Sequence, residues 1–253
     1  MKKLINIFFI LLSVGIFAQS KGLKSKNVPL KKSVPNQVKN PKVEPDSEII
    51  NENVPSLIPR KQSGKIGYIN QQGKYVIKPE YHIAMFFAED CNLANSANMK
   101  VRKFGSAQYA TVEKNKTSYR IDKSGKRVYQ YKDSDLAVCR NEFKKQLFHA
   151  YIIKGLYGVI EDAIFKNPSD PKQFKIYPEY EYLYIMEGNE LTYPMIVATR
   201  KDKFGVIDIN NKIIIPFDYD DIKRNYSWKL GRMFEVTKDG INYYYIDANN
   251  QSY

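Results

Sequence analysis

Residues 203–222 read Lys203-Phe204-Gly205-Val206-Ile207-Asp208-Ile209-Asn210-Asn211-Lys212-Ile213-Ile214-Ile215-Pro216-Phe217-Asp218-Tyr219-Asp220-Asp221-Ile222. Phe204 to Ile209 is dominated by β-branched and aromatic residues, which suit a pleated, half-buried strand. Asn210-Asn211 tolerate the positive φ of a hairpin turn, and Lys212 to Ile215 is a second β-favouring run. Pro216 has no N–H to donate, so the ladder is expected to end there and Phe217 onward to lead the chain away.

The pattern recurs. In Lys65 to Ile83, Gly67 answers Gly205, Asn70 answers Asp208, Lys74 answers Lys212, and Ile77-Lys78-Pro79 answers Ile214-Ile215-Pro216. Tyr81 then answers Asp218, or Tyr219 if the loop is shifted by one. Tyr119 to Val128 keeps the turn but loses the Pro. Lys154 to Ile160 keeps the first strand, Ile176 to Tyr180 resumes the second after an insertion, and Tyr243 to Asn250 begins a truncated copy. The turn positions Asn70, Asp122, Glu161, Asp208 and Asp247 follow one another at steps of 52, 39, 47 and 39 residues, the spacing of stacked repeats. Strand-like segments ending in a basic turn precede most copies: Ala107 to Lys114, His149 to Lys154, Pro194 to Lys201 and Met233 to Lys238. Each unit is therefore expected to be three strands pairing in sequence.

One such unit cannot cover its own apolar face. The expected fold is all-β, with tandem short antiparallel meander repeats stacked as a curved solenoid or a partial propeller. A short helix is expected near residues 134–148, where Ser134 offers an N-cap and Leu136, Cys139, Phe143 and Leu147 recur at helical spacing.

The consensus Lys-x-Gly-x-Ile-Asp-x-x-Gly/Asn-Lys-x-x-Ile-x-Pro-x-x-Tyr-Asp resembles the WG-repeat family, a bacterial repeat whose units usually begin Lys-Trp-Gly-Phe-Ile-Asp. The resemblance runs from about Lys61 to the C-terminus. The eponymous Trp is replaced by Ile66, Ser118, Tyr157, Phe204 and Tyr243, and the single Trp228 lies outside the motif. The resemblance implies an exported or surface-associated repeat protein and supplies no catalytic residues.

Ahead of the repeats, Met1-Lys2-Lys3, the apolar run Leu4 to Phe17 and Ala18-Gln19-Ser20 have the layout of a secretory signal peptide, 1–18, cleaved after Ala18. An apolar run of about 14 residues is short for a bilayer, which takes about 20, so no transmembrane segment is expected after cleavage. Residues 19–60 read as a disordered basic linker, with seven Lys and no acid between Lys21 and Lys42. The repeat domain is then 61–253. The chain carries a net charge of +13, of which residues 1–60 supply +6. For an exported protein, periplasmic or extracellular, such charge points to an anionic envelope polymer or a protein partner and away from nucleic acid. Cys91 and Cys139 can pair in an oxidising compartment if their Cα atoms come within about 7 Å; the alternative is two small buried residues.

The catalytic search is nearly empty. His82 and His149 have no metal-ligand spacing with Cys or another His, and there is no phosphate loop, nucleophile elbow or zinc-protease helix. Asp218, Asp220 and Asp221 lack the Gly turn and distal Glu of a Ca²⁺ loop and read as a solvated turn. No catalytic residue, metal or cofactor is assigned. Tyr180, Tyr182 and Tyr184 alternate and are expected on one side of a strand. With Arg200 and Lys203 they form the candidate ligand-binding face, unless they instead cover the interface between repeats. The expected role is an exported, non-catalytic binding or scaffolding module at the cell envelope. Two alternatives stand: a glycan-active enzyme using surface carboxylates such as Glu179, Glu181, Asp218 and Asp220, or a structural protein self-assembling through open sheet edges. The excursions Glu89 to Phe104 and Asp162 to Lys175 are where specific contacts are expected.

Overall fold

The computed structural model describes residues 51–139, 145–165, 170–186, 188 and 190–253. The signal peptide and most of the expected linker lie outside the described residues. The described chain is mostly β, in five small antiparallel sheets whose strands pair in sequence order. The first sheet holds β1 (Ile58–Gln62), β2 (Lys65–Ile69) and β3 (Tyr75–Tyr81). The second holds β4 (Ile83–Phe87), β5 (Ala110–Lys114), β6 (Thr117–Ile121) and β7 (Arg127–Gln130). The third holds β8 (Phe148–Ile153), β9 (Leu156–Glu161) and β10 (Phe174–Tyr180). The fourth holds β11 (Tyr182–Ile185), β12 (Ile196–Arg200), β13 (Lys203–Ile207) and β14 (Ile213–Tyr219), and the fifth β15 (Asp221–Ile222), β16 (Phe234–Thr237) and β17 (Tyr244–Ile246).

Strand β1 opens inside the stretch read as linker, and Val54, Leu57 and Ile58 are buried. The fold therefore begins upstream of Lys61. Four hairpins turn through two residues that both have positive φ: Ser63-Gly64, Asn115-Lys116, Lys154-Gly155 and Lys201-Asp202. Such turns match the right-handed twist of the strands they join.

The second turn of each unit explains the Asp-x-x-Gly/Asn-Lys signature. At Asn70, Asp122, Asp208 and Asp247 one side-chain oxygen accepts from the N–H groups two and four residues on. The same residue's N–H donates to the carbonyl four residues on. Three residues on, Gly73, Gly125, Asn211 and Asn250 sit at φ 77°, 86°, 64° and 63°, the region only Gly and Asn enter readily. Glu161, one methylene longer, leads instead into a 3-10 turn at Asp162–Ile164.

The ladder does not end at Pro216. β14 continues to Tyr219, as β3 runs through Pro79 and β10 through Pro178. In each, three residues (78–80, 177–179, 216–218) lie opposite one glycine of the middle strand, between the pairs Tyr68↔Ile77 and Ile66↔Tyr81, Val159↔Ile176 and Tyr157↔Tyr180, Val206↔Ile215 and Phe204↔Tyr219. Pro is tolerated because a bulge needs no donor there. The register makes Tyr81 the counterpart of Tyr219, with the Pro shifted by one. The glycine is needed because the bulge crosses it: a Cβ at Gly67 would lie 2.4 Å from the Ile77 carbonyl oxygen, and at Gly158 2.5 Å from that of Ile176. Where the bulge is missing the glycine is missing too. Tyr119 faces the regular pair Gln130, and Tyr244 sits in a sheet whose last pairing is the lone bridge Ile246↔Ser252.

After the bulge the chain kinks and its next stretch starts the following sheet, which gives some units a fourth strand. His82, Glu181 and Asp220 mark the kinks, and their N–H groups donate to Glu113, Thr199 and Thr237 of the next sheet. Buried clusters join sheets one and two around Tyr81 and Val112, three and four around Tyr180 and Ile196, and four and five around Tyr219 and Phe234. A further cluster brings Ile58 and Ile69 of the first sheet against Met233, Tyr245 and Tyr253 of the last, with Phe86 of β4 between them.

The excursion after β4 carries α1 (Cys91–Ala94) and α2 (Met99–Arg102). It packs on the side of the second sheet away from the first, where Arg120 is 2 % exposed. The Arg120 guanidinium donates to the Phe104, Ala88 and Ser106 carbonyls and to Thr111 Oγ1 at 2.8–3.0 Å, which engages four of its five donors. Cys91 is disulfide-bonded to Cys139, Cα atoms 5.4 Å apart. This bond and the Ala137 N–H donating to the Asn92 carbonyl fasten residues 136–139 to α1. The helix expected near 134–148 is therefore absent from the described part of that range: Asp133–Asp135 is one 3-10 turn, Leu136 is extended, and Asp135 is pulled inward by the Tyr129 hydroxyl and Asn98. Phe143 lies outside the described residues.

Gly67→Ala should lower stability by roughly 3 kcal/mol, the upper end of overpacking effects, because backbone must move; a lowered urea midpoint measures it. Replacing both cysteines by Ser should cost about 2–4 kcal/mol, as expected for a loop of this length, read as a drop in thermal midpoint that reductant reproduces in the parent protein.

Candidate functional site

The tyrosines singled out in the sequence divide between two sheets. Tyr180 ends β10 and is 1 % exposed, whereas Tyr182 and Tyr184 alternate on β11 after the kink at Glu181. Only the latter two share a strand face. Tyr180 stacks on Phe217 at 5.9 Å, and Arg200 lies 5.0 Å over its ring. Tyr182 packs near Tyr157 and accepts from Arg224, and Tyr184 packs against the seam between sheets four and five. Lys203 pairs with Asp220. The five residues are thus held in the seams that join repeats.

These seams follow one design. The Tyr180 hydroxyl donates to Asn211 Oδ1 and the Tyr219 hydroxyl to Asn250 Oδ1, both at 2.6 Å. In each pair a tyrosine delivered by one bulge reaches the left-handed residue of the next unit's turn. Burial pushes the Tyr219 hydroxyl up to about 12. The acid preceding the tyrosine faces a cation at the end of the next sheet's second strand: Glu80 with Lys114 at 2.6 Å, Glu179 with Arg200 at 3.6 Å. Three of the four carboxylates considered for glycan chemistry have partners: Glu179 accepts from Asn211 Nδ2, Glu181 from the N–H groups of Lys201 and Asp202 at 3.0 Å, and Asp220 pairs with Lys203.

A cavity of about 430 Å³ opens elsewhere, where the fifth unit, the loop after β11 and the N-terminal segment meet. Its size falls within the roughly 300–1,000 Å³ of small-molecule sites. One wall is α3 (Ser227–Gly231), between β15 and β16. This helix approaches β4 closely, since a Cβ at Gly231 would lie 2.8 Å from the Phe86 ring. Trp228 of α3 stacks on Phe234, centroids 4.6 Å apart and planes 9° from parallel, so the indole that borders the cavity is fixed from behind. Arg232, which ends α3 at φ 51°, stands at the rim. Met186, Tyr193 and Met195 also line it, and Tyr193 is 66 % exposed. The floor is the last turn, Asp247 to Asn249, with Asn51 and Asn53 beside it. Gln71 positions this N-terminal segment, accepting from Asn51 N and donating to the Asn51 and Val54 carbonyls.

Sequence reasoning missed this site. Asn51 and Asn53 fall in the expected linker, and Trp228 lies outside the motif. The available signal was a lone Trp in a short polar run between two strand patterns.

Tyr219→Phe should lower stability by about 1 kcal/mol, the usual size of one net hydrogen bond, and Asn250→Ala combined with it should add little in a double-mutant cycle.

The profile of the WG containing repeat family matches residues 66–94 and 204–227, the first and fourth units. No curated protein and no solved structure matches the chain. The matched units are the two that combine the glycine, the Asn- or Asp-centred turn, the bulge with its Pro and the tyrosine beyond it, and these two stretches are WG-type repeats.

Proposed function

We propose that this WG-repeat protein is exported and serves as a non-catalytic binding module at the bacterial cell envelope, its five sheets arranged as a partial propeller. The observation that carries the binding role is the cavity beside Trp228, whose aromatic wall is backed by Phe234 and whose floor is a hydrogen-bonded turn. A preformed, rigid wall lowers the ordering cost of binding. Export is supported by the signal-like N-terminus and by the Cys91–Cys139 disulfide, a bond that persists in oxidising compartments. The contact between the first and last units favours a ring-like arrangement over an open rod.

Co-sedimentation with isolated envelopes tests the reading, comparing residues 19–253 with a form starting at Asn51, the first described residue. Both forms should pellet with envelopes, and the shorter one should do so in high salt, where contacts between exposed charges are screened. Failure of both forms at low and high salt would remove the envelope reading.

A further inference from the structure

Resting on that reading, we infer that the cavity beside Trp228 takes a saccharide, with a sugar ring against the indole and its hydroxyls directed to the floor. The floor supplies the decisive observation. Asp247 is 3 % exposed and lines the cavity. Its Oδ1 is fully engaged in the turn, accepting from Asn249 N and Gln251 N at 2.9 Å. Its Oδ2 has only contacts of 3.5 Å, from Asn51 Nδ2, Asn249 Nδ2 and the Tyr253 hydroxyl. That length is the outer limit of hydrogen bonding, so these three long contacts leave the oxygen able to accept a shorter, stronger bond from a ligand donor.

The remaining lining narrows the donor to a hydroxyl-rich ligand. An apolar molecule would strip water from the Asn51, Asn53 and Asn249 amides and return nothing, at a cost of the kind that makes buried polar groups rare without partners. A small cation or an ammonium would satisfy Asp247 but leave the aromatic wall unused, with Lys229 and Arg232 opposing it at the rim. A pyranose has both surfaces the cavity asks for: a flat C–H face for Trp228 and Tyr193, and an equatorial fringe of groups that donate and accept. Glu190 and Arg232, which form no ion pair among the described residues, stand where a ring substituent would meet them. The indole cannot turn away on binding, because Phe234 lies against one face and Gly188 beside its Nε1 edge.

Trp228 is the single tryptophan of the chain, so its emission reports this cavity alone. Purified protein with its disulfide intact is titrated with chitotriose and with maltotriose, and the same preparation is pelleted with envelopes. The expected result is a saturable change in emission with at least one of the two, and a loss of about tenfold in affinity in Tyr193→Ala, the size of one aromatic contact. Tyr177→Ala, an exposed tyrosine on the third sheet, should bind as the parent does, and the thermal midpoint of Tyr193→Ala should stay unchanged. No emission change with either saccharide up to about 10 mM, weaker than any useful affinity, overturns the inference, as does a Tyr193→Ala protein that binds as tightly as the parent. If the envelopes still pellet the protein in either case, the binding-module reading stands and only the sugar site is lost; if they do not, that reading falls as well.

Discussion

The crossing of a three-residue bulge over a glycine sets the geometry on which the rest of this structure depends. Gly67, Gly158 and Gly205 let the third strand pass within contact distance of the second. The extra residues then return the chain to register at Tyr81, Tyr180 and Tyr219. From there the chain must kink, since its next N–H already belongs to the neighbouring sheet. The first, third and fourth sheets thus each hand the chain straight from their last strand to their successor. Apolar burial does more than charge pairing to hold the two together. A fully buried apolar side chain contributes about 1.5–3 kcal/mol, and each seam gathers several, whereas an exposed pair such as Glu80–Lys114 contributes about 0–1 kcal/mol. The ion pairs and the tyrosine hydroxyls fix which residue sits opposite which; the apolar faces supply the adhesion.

That division explains what could be read from the chain. The glycine, the turn acid and the Gly or Asn three residues beyond it are each imposed by local sterics, so they recur visibly, and the meander follows from them. The role of Pro216 is not legible in the sequence, because a missing donor looks the same at a strand end as in a bulge. The place of Tyr180 is hidden for a related reason: alternation along Tyr180, Tyr182 and Tyr184 assumes one unbroken strand, and the kink at Glu181 leaves no mark in composition. The segment after Ser134 shows the opposite failure, in which a helical spacing is overridden by a covalent bond to Cys91 and by Asp135 turning inward.

The second unit shows how a repeat is adapted to close off one side of an array. Where other copies carry Tyr68, Val159, Val206 or Tyr245, it has Arg120. An aliphatic residue there would face a neighbouring sheet. The guanidinium instead collects carbonyls from an irregular excursion that has no ladder of its own, and the disulfide fastens that excursion to the chain leaving the sheet. A buried cation satisfied by three carbonyls is destabilising to lose and adds little adhesion by itself, which suits a residue that specifies a cover more than it strengthens a core.

The cavity arises where the repeat pattern runs out. The fifth unit lacks a bulged third strand, so no tyrosine leaves it to engage a following turn, and only Ser252 pairs with Ile246. Residues from Asn51 onward come from the other end of the chain to border the last turn, tied by Gln71 rather than by a ladder. A cover made of side chains fits less closely than a strand, and the shortfall is the space beside Trp228. In the interior seams, the Asn at the left-handed turn position has a tyrosine hydroxyl for a partner. At this last junction, the turn's own carboxylate has an oxygen left with only distant donors. The same local chemistry that joins repeat to repeat elsewhere here borders a cavity instead of a neighbouring unit.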